Sequence, residues 1–199
     1  MGNTTAILIL AAGSSSRMGP GRDKLLEPVG GLPLLTLVLE RARATGCLVY
    51  VCLPSPAHPR AQLIEDEAVP VWVPDADEGM GASIRTGIRA LPDETDAVMI
   101  LPADMPELTT GDLRAVLDAH VPGRIARGTG AEGKPGHPVI FPREYFEDLK
   151  ALGGDQGARR VLAGNVDRVD LVALPAQHAL TDLDTPEAWQ AWRAGQSGE

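Results

Sequence analysis

A short apolar strand that leads directly into a glycine- and serine-rich loop is the feature that most limits what this chain can fold into. The run Ala6–Ala12 is apolar throughout and predicts a buried strand. The loop that follows carries several glycines and serines together with the cations Arg17, Arg22 and Lys24. Glycines allow backbone N–H groups to approach an anion, and the cations add charge-assisted hydrogen bonds. The sequence therefore predicts a phosphate-binding loop at the carboxyl end of the first strand.

The acidity of the chain makes this basic loop more informative. The formal net charge is −9, which argues against nucleic acid or a membrane surface as a partner. A loop of this composition is often only a turn, but Arg17 and Lys24 in an acidic chain indicate a local need for positive charge. The run Ala6–Ala12 is too short to cross a bilayer and follows no positive residue. We therefore expect no signal peptide and a cytoplasmic location.

Strand patterns alternate with helical patterns along most of the chain. The predicted strands are Ile7–Leu10, Leu48–Leu53, Val69–Val73, Ala97–Leu101, Val139–Phe141 and Val169–Leu174, and the predicted helices lie at 34–44, 57–67, 80–91, 110–117, within 153–164 and from 185 onward. This order predicts an α/β fold, a three-layer αβα sandwich with a mostly parallel sheet, as one domain over residues 1–193. Within it, residues 127–136 have the most flexible composition. Residues 194–199 are expected to form a disordered tail.

Acidic side chains near two predicted element ends are candidates for binding a metal ion. Asp104 follows a buried strand between two prolines, where an open parallel sheet faces its ligand, and a carboxylate beside a phosphate loop suits Mg²⁺. An ordinary turn aspartate fits Asp104 equally well. Asp182 and Asp184 point to one side if their segment is extended, so they can complete a metal site or contact substrate. Asp184 also fits a cap of the last helix. A lone histidine such as His137 is more often a structural hydrogen-bonding residue.

Six motifs in order resemble those of one enzyme family. The motifs are LAAGSSSRMG followed by a lysine (Leu10–Lys24), GMGASIRTGI (Gly79–Ile88), PADMP (Pro102–Pro106), GHPVIF (Gly136–Phe141), GDQGARRVL (Gly154–Leu162) and DLDTPEAW (Asp182–Trp189). Together they are similar to the molybdenum cofactor nucleotidyltransferases of the MobA-like NTP transferase type, over residues 5–192. Leu-Ala-Ala-Gly and Gly-His-Pro-Val resemble the cytidylyltransferase branch more than the guanylyltransferase branch. Four residues separate Gly19 from Lys24, where family members usually have two or three.

The resemblance implies both a fold and a reaction. The fold is the Rossmann-like one of nucleotide-diphospho-sugar transferases. The reaction joins CTP to the terminal phosphate of molybdopterin and releases pyrophosphate, with Mg²⁺ held by Asp104 and with a receiving molybdoenzyme as a further partner. Arg17, Lys24 and Asp104 are expected to act in catalysis. Expected at the nucleotide are Leu10, Ala11, Ala12, Gly13, Arg17, Lys24, Asp75 and Ser83, and expected at the acceptor are Arg85, His137, Asp182 and Asp184.

Other functions remain open for the same motifs. An enzyme of this fold can use GTP, or can use a different phosphorylated acceptor such as a sugar phosphate. A non-catalytic accessory protein would bind molybdopterin or a nucleotide without releasing pyrophosphate. A flavin or nicotinamide oxidoreductase is disfavoured, because the first loop carries no dinucleotide-binding glycine fingerprint.

Overall fold

Seven strands form one mixed sheet with helices on both faces. The computed structural model describes residues 4–64, 66–155 and 157–196. The strands in these ranges are β1 (Thr5–Leu10), β2 (Pro28–Val29), β3 (Leu32–Pro33), β4 (Leu48–Leu53), β5 (Val69–Trp72), β6 (Ala97–Pro102), β7 (Ile125–Thr129), β8 (Pro135–Pro142) and β9 (Val169–Ala173). The α-helices are α1 (Leu34–Arg43), α2 (Met80–Ala90), α3 (Thr110–Ala119), α4 (Phe146–Lys150), α5 (Arg159–Ala163) and α6 (Pro186–Gln196). No helix of the described ranges has the length and apolarity needed to cross a membrane.

The sheet order is β5-β4-β1-β6-β8-β7-β9, and β2 and β3 form a separate two-stranded ribbon. Strands β5, β4, β1 and β6 are parallel, β8 is antiparallel to both β6 and β7, and β9 is parallel to β7. Alternate residues of β1 enter different cores, since Ile7 and Ile9 pack on one face and Ala6 and Leu8 on the other. The predicted three-layer α/β fold with a mostly parallel sheet is confirmed.

Most predicted elements are present, with small differences at their ends. The expected helix at 57–67 is a 3-10 helix over Pro59–Ile64. The helix α3 begins with a capping box, in which the Thr109 hydroxyl accepts from the Asp112 backbone and the Asp112 carboxylate accepts from the Thr109 N–H. Trp189 of α6 is buried in the same core as β1, so the C-terminal helix belongs to the same hydrophobic core as the first strand.

Two segments with a flexible composition lie partly in strands or helices. The stretch 127–136 contains the end of β7 and the start of β8, and only a short turn over 130–134 connects them. Its glycines allow close packing, because a Cβ at Gly128 would lie 2.6 Å from the His137 carbonyl oxygen. The predicted tail 194–199 begins too early, since α6 continues through Gln196. Residues 197–199 lie outside the described residues.

Gly136 allows the segment before Asp182 to lie against β8. A Cβ on this glycine would stand 1.9 Å from the backbone oxygen of Ala179. The same approach permits a backbone hydrogen bond in which the His137 N–H donates to Ala179 O over 2.9 Å. We predict that Gly136→Ala lowers the free energy of unfolding by about 3 kcal/mol, because backbone atoms must move to admit the methyl group.

The measurement is urea unfolding of Gly136→Ala beside Gly195→Ala. A Cβ at Gly195 would meet no atom within 4 Å, and this position is helical. Gly195→Ala should therefore leave stability unchanged or slightly raised. Equal unfolding midpoints for the two variants would show that the backbone near Gly136 moves to admit the methyl group without loss of stability, and would contradict the prediction.

Candidate functional site

The carboxyl ends of β1 and β6 bring the basic loop and Asp104 to the same edge of the sheet. The two strands are parallel neighbours in which Leu10 stands opposite Pro102. Immediately beyond them, the Ala103 N–H donates to the Leu10 carbonyl over 3.2 Å. Because both chains leave the sheet in the same direction, the loop after β1 and Asp104 after β6 face a common cleft.

Lys24 is held between two carboxylates at the base of this cleft. Its Nζ lies 2.5 Å from Asp104 Oδ2 and 2.5 Å from Asp184 Oδ1. Arg17 reaches Asp184 from the solvent side, with 2.8 Å between NH1 and Oδ2. The 182–184 segment is tied to the same place, since the Leu183 N–H donates to Asp104 O over 3.1 Å. Three segments that are distant in sequence therefore converge on one ammonium group.

The carboxylates keep Lys24 charged although it is largely buried. Burial alone would lower the pKa of Lys24, but the charges and hydrogen bonds of Asp104 and Asp184 outweigh it and raise the pKa. The pKa of Asp182 is raised as well, but for a carboxyl group this shift favours the neutral form. Burial, followed by the nearby charges of Asp104 and Asp184, raises the pKa of Asp182 above its ordinary value. Negative charge therefore accumulates at this end of the cleft.

This donor set fits a divalent cation held jointly with a substrate. In the part of the chain that the structure describes, no group of three or more His, Cys, Asp or Glu side chains is arranged as a metal site. Asp104 and Asp184 nevertheless present oxygen atoms on either side of Lys24. Magnesium is commonly bound by one or two carboxylates together with substrate phosphates and water, so a complete protein cage is not required.

The cleft has a volume of about 910 Å³ and collects most of the predicted site residues. The predicted residues that line it are Leu10, Ala11, Ala12, Gly13, Arg17, Lys24, Ser83, Asp104, His137, Asp182 and Asp184. Asp75 and Arg85 do not line it. Arg85 instead pairs with Asp75 and with Glu78, and donates to Leu152 O over 3.0 Å. From the middle of α2, Arg85 therefore binds the segment before the helix through Asp75 and the segment after α4 through Leu152. The substrate contacts expected at Asp75 and Arg85 stay predictions.

His137 lies in the cleft as a neutral side chain. Burial, followed by the positive charges of Arg127 and Arg159, lowers the pKa of His137 to about 4. Its Nδ1 atom is buried and has no hydrogen-bond partner among the described residues. Near neutral pH the ring therefore adds no charge to the cleft.

A buried arginine that the sequence analysis missed holds the basic loop in place. The Arg60 side chain is 1% exposed, and its NH1 donates to Ala11 O over 2.5 Å and to Gly13 O over 2.8 Å. Its Nε and NH2 donate to the two oxygens of Asp23 over 2.7 and 2.6 Å. NH2 also donates to Ser15 Oγ over 3.0 Å. One guanidinium thus fixes both ends of the loop between β1 and Lys24.

The local sequence gives little indication of this role. Arg60 lies in a short 3-10 helix and is 37 positions from Asp23. The lengthened loop itself is accommodated by Gly19 and Gly21, which have φ values of +89° and +72°. Other cleft residues absent from the sequence prediction are Lys134, Arg127, Asp155 and Arg159. Arg159 lies within the GDQGARRVL motif, so the motif could have indicated this residue as part of the site.

The comparisons with known proteins agree on one family. The family described as the MobA-like NTP transferase domain matches residues 7–171. The chain is 29% identical to the purine catabolism protein PucB of Bacillus subtilis over 96% of both proteins. It is 35% identical to the 2-C-methyl-D-erythritol 4-phosphate cytidylyltransferase of Streptomyces coelicolor, over 93% of this chain and 64% of that protein. The chain spans only 26% of the bifunctional protein GlmU of Leifsonia xyli, to which it is 37% identical.

Solved structures resemble the chain over nearly its full length. The crystal structure of Rv0371c from Mycobacterium tuberculosis superposes with a TM-score of 0.83 at 25% identity, covering 96% of this chain and 97% of that one. A manganese complex of Rv0371c gives a TM-score of 0.81 at 23% identity and covers 96% and 98%. A CMP:2-keto-3-deoxy-manno-octonic acid synthetase complexed with CTP has a TM-score of 0.75 at 17% identity, which shows a shared fold.

We predict that Arg60→Met lowers the free energy of unfolding by about 3 kcal/mol. The substitution leaves the partly buried Asp23 carboxylate and two loop carbonyls without their donor, and breaking a buried pair is costly. The matched control is Arg43→Met, whose exposed pair with Glu67 should contribute less than about 1 kcal/mol. Chemical unfolding at neutral pH measures both. Similar losses would mean that Arg60 is not a structural anchor.

The Asp23 pair also predicts a pH dependence. Burial would raise the pKa of Asp23, but Arg60, together with hydrogen bonds from Leu25 and Ser15, outweighs burial and the net pKa is lowered. The stabilisation is therefore fully present above the unfolded-state value, about 3.9 for an aspartate, and is lost as the pH falls through the lower folded-state value. Unfolding measured from pH 6 to pH 2 should show this loss for the wild type. The loss should be smaller for Arg60→Met, and parallel curves would contradict the assignment.

Proposed function

This chain belongs to the MobA-like NTP transferase family, and we propose that it transfers the cytidylyl group of CTP to the terminal phosphate of molybdopterin and releases pyrophosphate. The observation that carries the proposal is the position of Lys24 between Asp104 and Asp184, at the base of a cleft bordered by the glycine- and serine-rich loop. This arrangement combines groups for binding phosphate with groups for binding a cation. A nucleoside triphosphate and its metal need both.

The proposed nucleotide site follows the loop after β1. The backbone of Leu10, Ala11, Ala12 and Gly13 borders the cleft, and Ser83 of α2 faces it from another side. Arg17 is 67% exposed, so a phosphate at the mouth of the cleft can reach it beside its ion pair with Asp184. We propose that Arg17 and Lys24 hold the triphosphate.

We propose that Asp104, with Asp182 or Asp184, holds Mg²⁺ together with the triphosphate. Bound there, the ion would offset negative charge on the phosphates and support the leaving pyrophosphate. The manganese complex of the structural neighbour Rv0371c supports a divalent cation in this fold.

The protein's own residues then have positioning and electrostatic roles. A phosphate-monoester oxygen is already ionised at neutral pH, so no side chain has to remove a proton before it attacks the α-phosphorus. The pKa of His137, lowered to about 4, makes its ring a weak base, which agrees with a reaction that needs no general base. Lys24 and Arg17 would stabilise charge that develops on the pyrophosphate as the bond to the α-phosphorus breaks.

Support for the two substrates differs. CTP is favoured by the Leu-Ala-Ala-Gly motif and by relatives whose names include a cytidylyltransferase and a CTP complex. Molybdopterin is favoured by the ordered series of six motifs. A second candidate acceptor is a polyol or sugar phosphate, since the relative from Streptomyces coelicolor is named for 2-C-methyl-D-erythritol 4-phosphate and aligns with 93% of this chain. A molybdoenzyme that receives the product is proposed only if the acceptor is molybdopterin.

We predict that Lys24→Gln and Asp104→Asn each reduce turnover on the order of 100-fold or more. Each removes one preorganised electrostatic contact to the reacting phosphates or their metal. The control is Lys150→Gln, which removes a lysine paired with Glu147 outside the cleft and should retain wild-type turnover. The measurement is the rate of pyrophosphate release from CTP, with molybdopterin as the acceptor and Mg²⁺ present. Near-wild-type turnover of Asp104→Asn would contradict its metal role.

We also predict that CTP with Mg²⁺ raises the melting temperature more than GTP, ATP or UTP does. A ligand that binds only the folded state stabilises it by an amount that grows with concentration relative to Kd. The panel is paired with a measurement of pyrophosphate release from the nucleotide, with either molybdopterin or 2-C-methyl-D-erythritol 4-phosphate as the acceptor. Stabilisation by CTP without pyrophosphate release in the presence of either acceptor would favour a binding protein over an enzyme.

A further inference from the structure

Two arginines border the cleft without a carboxylate partner among the residues that the structure describes. Arg127 lies on β7 and Arg159 begins α5, and both line the cleft that contains Lys24. Arg127 donates one hydrogen bond, from Nε to Gly136 O over 3.0 Å. Within the described ranges neither guanidinium forms a salt bridge. The two are close enough that Arg159, after burial, contributes to lowering the pKa of Arg127. Unpaired, mutually repelling cations facing a cleft indicate a site for an anion.

The same two arginines also border a smaller apolar groove. Its volume is about 350 Å³, and its other walls are Pro135, Leu162, Ala163, Val166, Val169 and Leu171. Val166 is 69% exposed and Leu171 is 54% exposed, so apolar surface faces solvent there. Pro135 and Leu162 line both spaces as well, so the groove adjoins the large cleft at the arginines.

The groove offers very little hydrogen bonding to a bound molecule. Of the residues that line it, only Arg127 and Arg159 have polar side chains. A polyhydroxylated body placed in it would lose water without gaining partners for its hydroxyl groups, and unpaired buried polar groups are costly. A flat heterocycle or other largely apolar body would lose far fewer hydrogen bonds to water on entering the groove.

We infer that Arg127 and Arg159 bind the phosphate of the acceptor, and that the apolar groove holds the acceptor's body. This inference rests on the proposed nucleotidyl transfer and refines it. The acceptor class is a phosphomonoester of a ring system, in preference to a sugar or polyol phosphate. In this arrangement the acceptor phosphate occupies the same cleft as the nucleotide, while its body lies outside the part bordered by the β1 loop.

The test uses phenyl phosphate as a minimal ring phosphomonoester. Isothermal titration compares it with glucose 1-phosphate and inorganic phosphate, in Mg²⁺ with and without α,β-methylene-CTP, which fills the nucleotide site and cannot transfer its cytidylyl group. We expect phenyl phosphate to bind at least tenfold more tightly than glucose 1-phosphate. Equal or reversed affinities would overturn the assignment of the acceptor class.

Charge-to-amide variants test the arginines. Arg159→Gln and Arg127→Gln should each weaken phenyl phosphate binding about tenfold or more, since each removes a charge-assisted contact. Arg160→Gln is the matched control, because Arg160 is the exposed next residue of α5 and lines neither space. Affinity for α,β-methylene-CTP should change less than twofold in all three. A loss of nucleotide affinity in Arg159→Gln, with phenyl phosphate unaffected, would assign the arginine to the triphosphate and overturn the inference.

The groove is tested separately. Leu171→Ser and Val166→Ser should weaken phenyl phosphate but leave inorganic phosphate unchanged, whereas Val121→Ser, an exposed apolar residue outside the groove, should alter neither. A change in sedimentation of Leu171→Ser without a change in phenyl phosphate binding would make the groove a contact between copies of this chain. If CTP does not bind but phenyl phosphate still depends on Arg159, the choice of nucleotide fails and the acceptor site stands.

Discussion

The pairing of one buried ammonium with two carboxylates is the interaction on which the rest of the cleft depends. Lys24 comes from the loop after β1, Asp104 from the loop after β6, and Asp184 from the segment before α6. Without the lysine, Asp104 and Asp184 would add unbalanced negative charge to a place where Asp182 is already driven toward protonation. The pairing therefore sets the position of three distant segments and the local charge together.

Much of this arrangement could be predicted because it follows from short-range patterns. An apolar strand followed by a polar loop places that loop at the carboxyl edge of a parallel sheet, and this reasoning brought Lys24 and Asp104 to one cleft. Arg60 could not be found in this way. Its function depends on two loop carbonyls and on Asp23, 37 positions away, and the local sequence does not encode that pairing.

Strand β7 and the first residues of β8 were also missed, for a related reason. Glycines at 128, 130, 133 and 136 give the stretch 127–136 the composition of a flexible loop. In the folded protein those at 128 and 136 are close-packing positions, where a methyl group would collide with a neighbouring backbone. Glycine occurs both in flexible loops and at close-packing positions, so only tertiary contacts show which role a given glycine has. Asp75 and Arg85 show the same limit, because the ion pair between them lies outside the cleft lining and depends on a contact that the sequence pattern does not reveal.

Positive and negative side chains are unevenly distributed around the cleft. Asp104, Asp182 and Asp184 make one part negative, whereas Arg127 and Arg159 bring unpaired positive charge to the lining, in a chain whose net charge is −9. A single anion needs only one cationic site. Two phosphate-bearing substrates that must meet in line repel each other, and separate cationic groups reduce that repulsion. His137 is only a weak base, because burial and the charge of Arg127 lower its pKa, so the proposed chemistry depends mainly on the placement of charge.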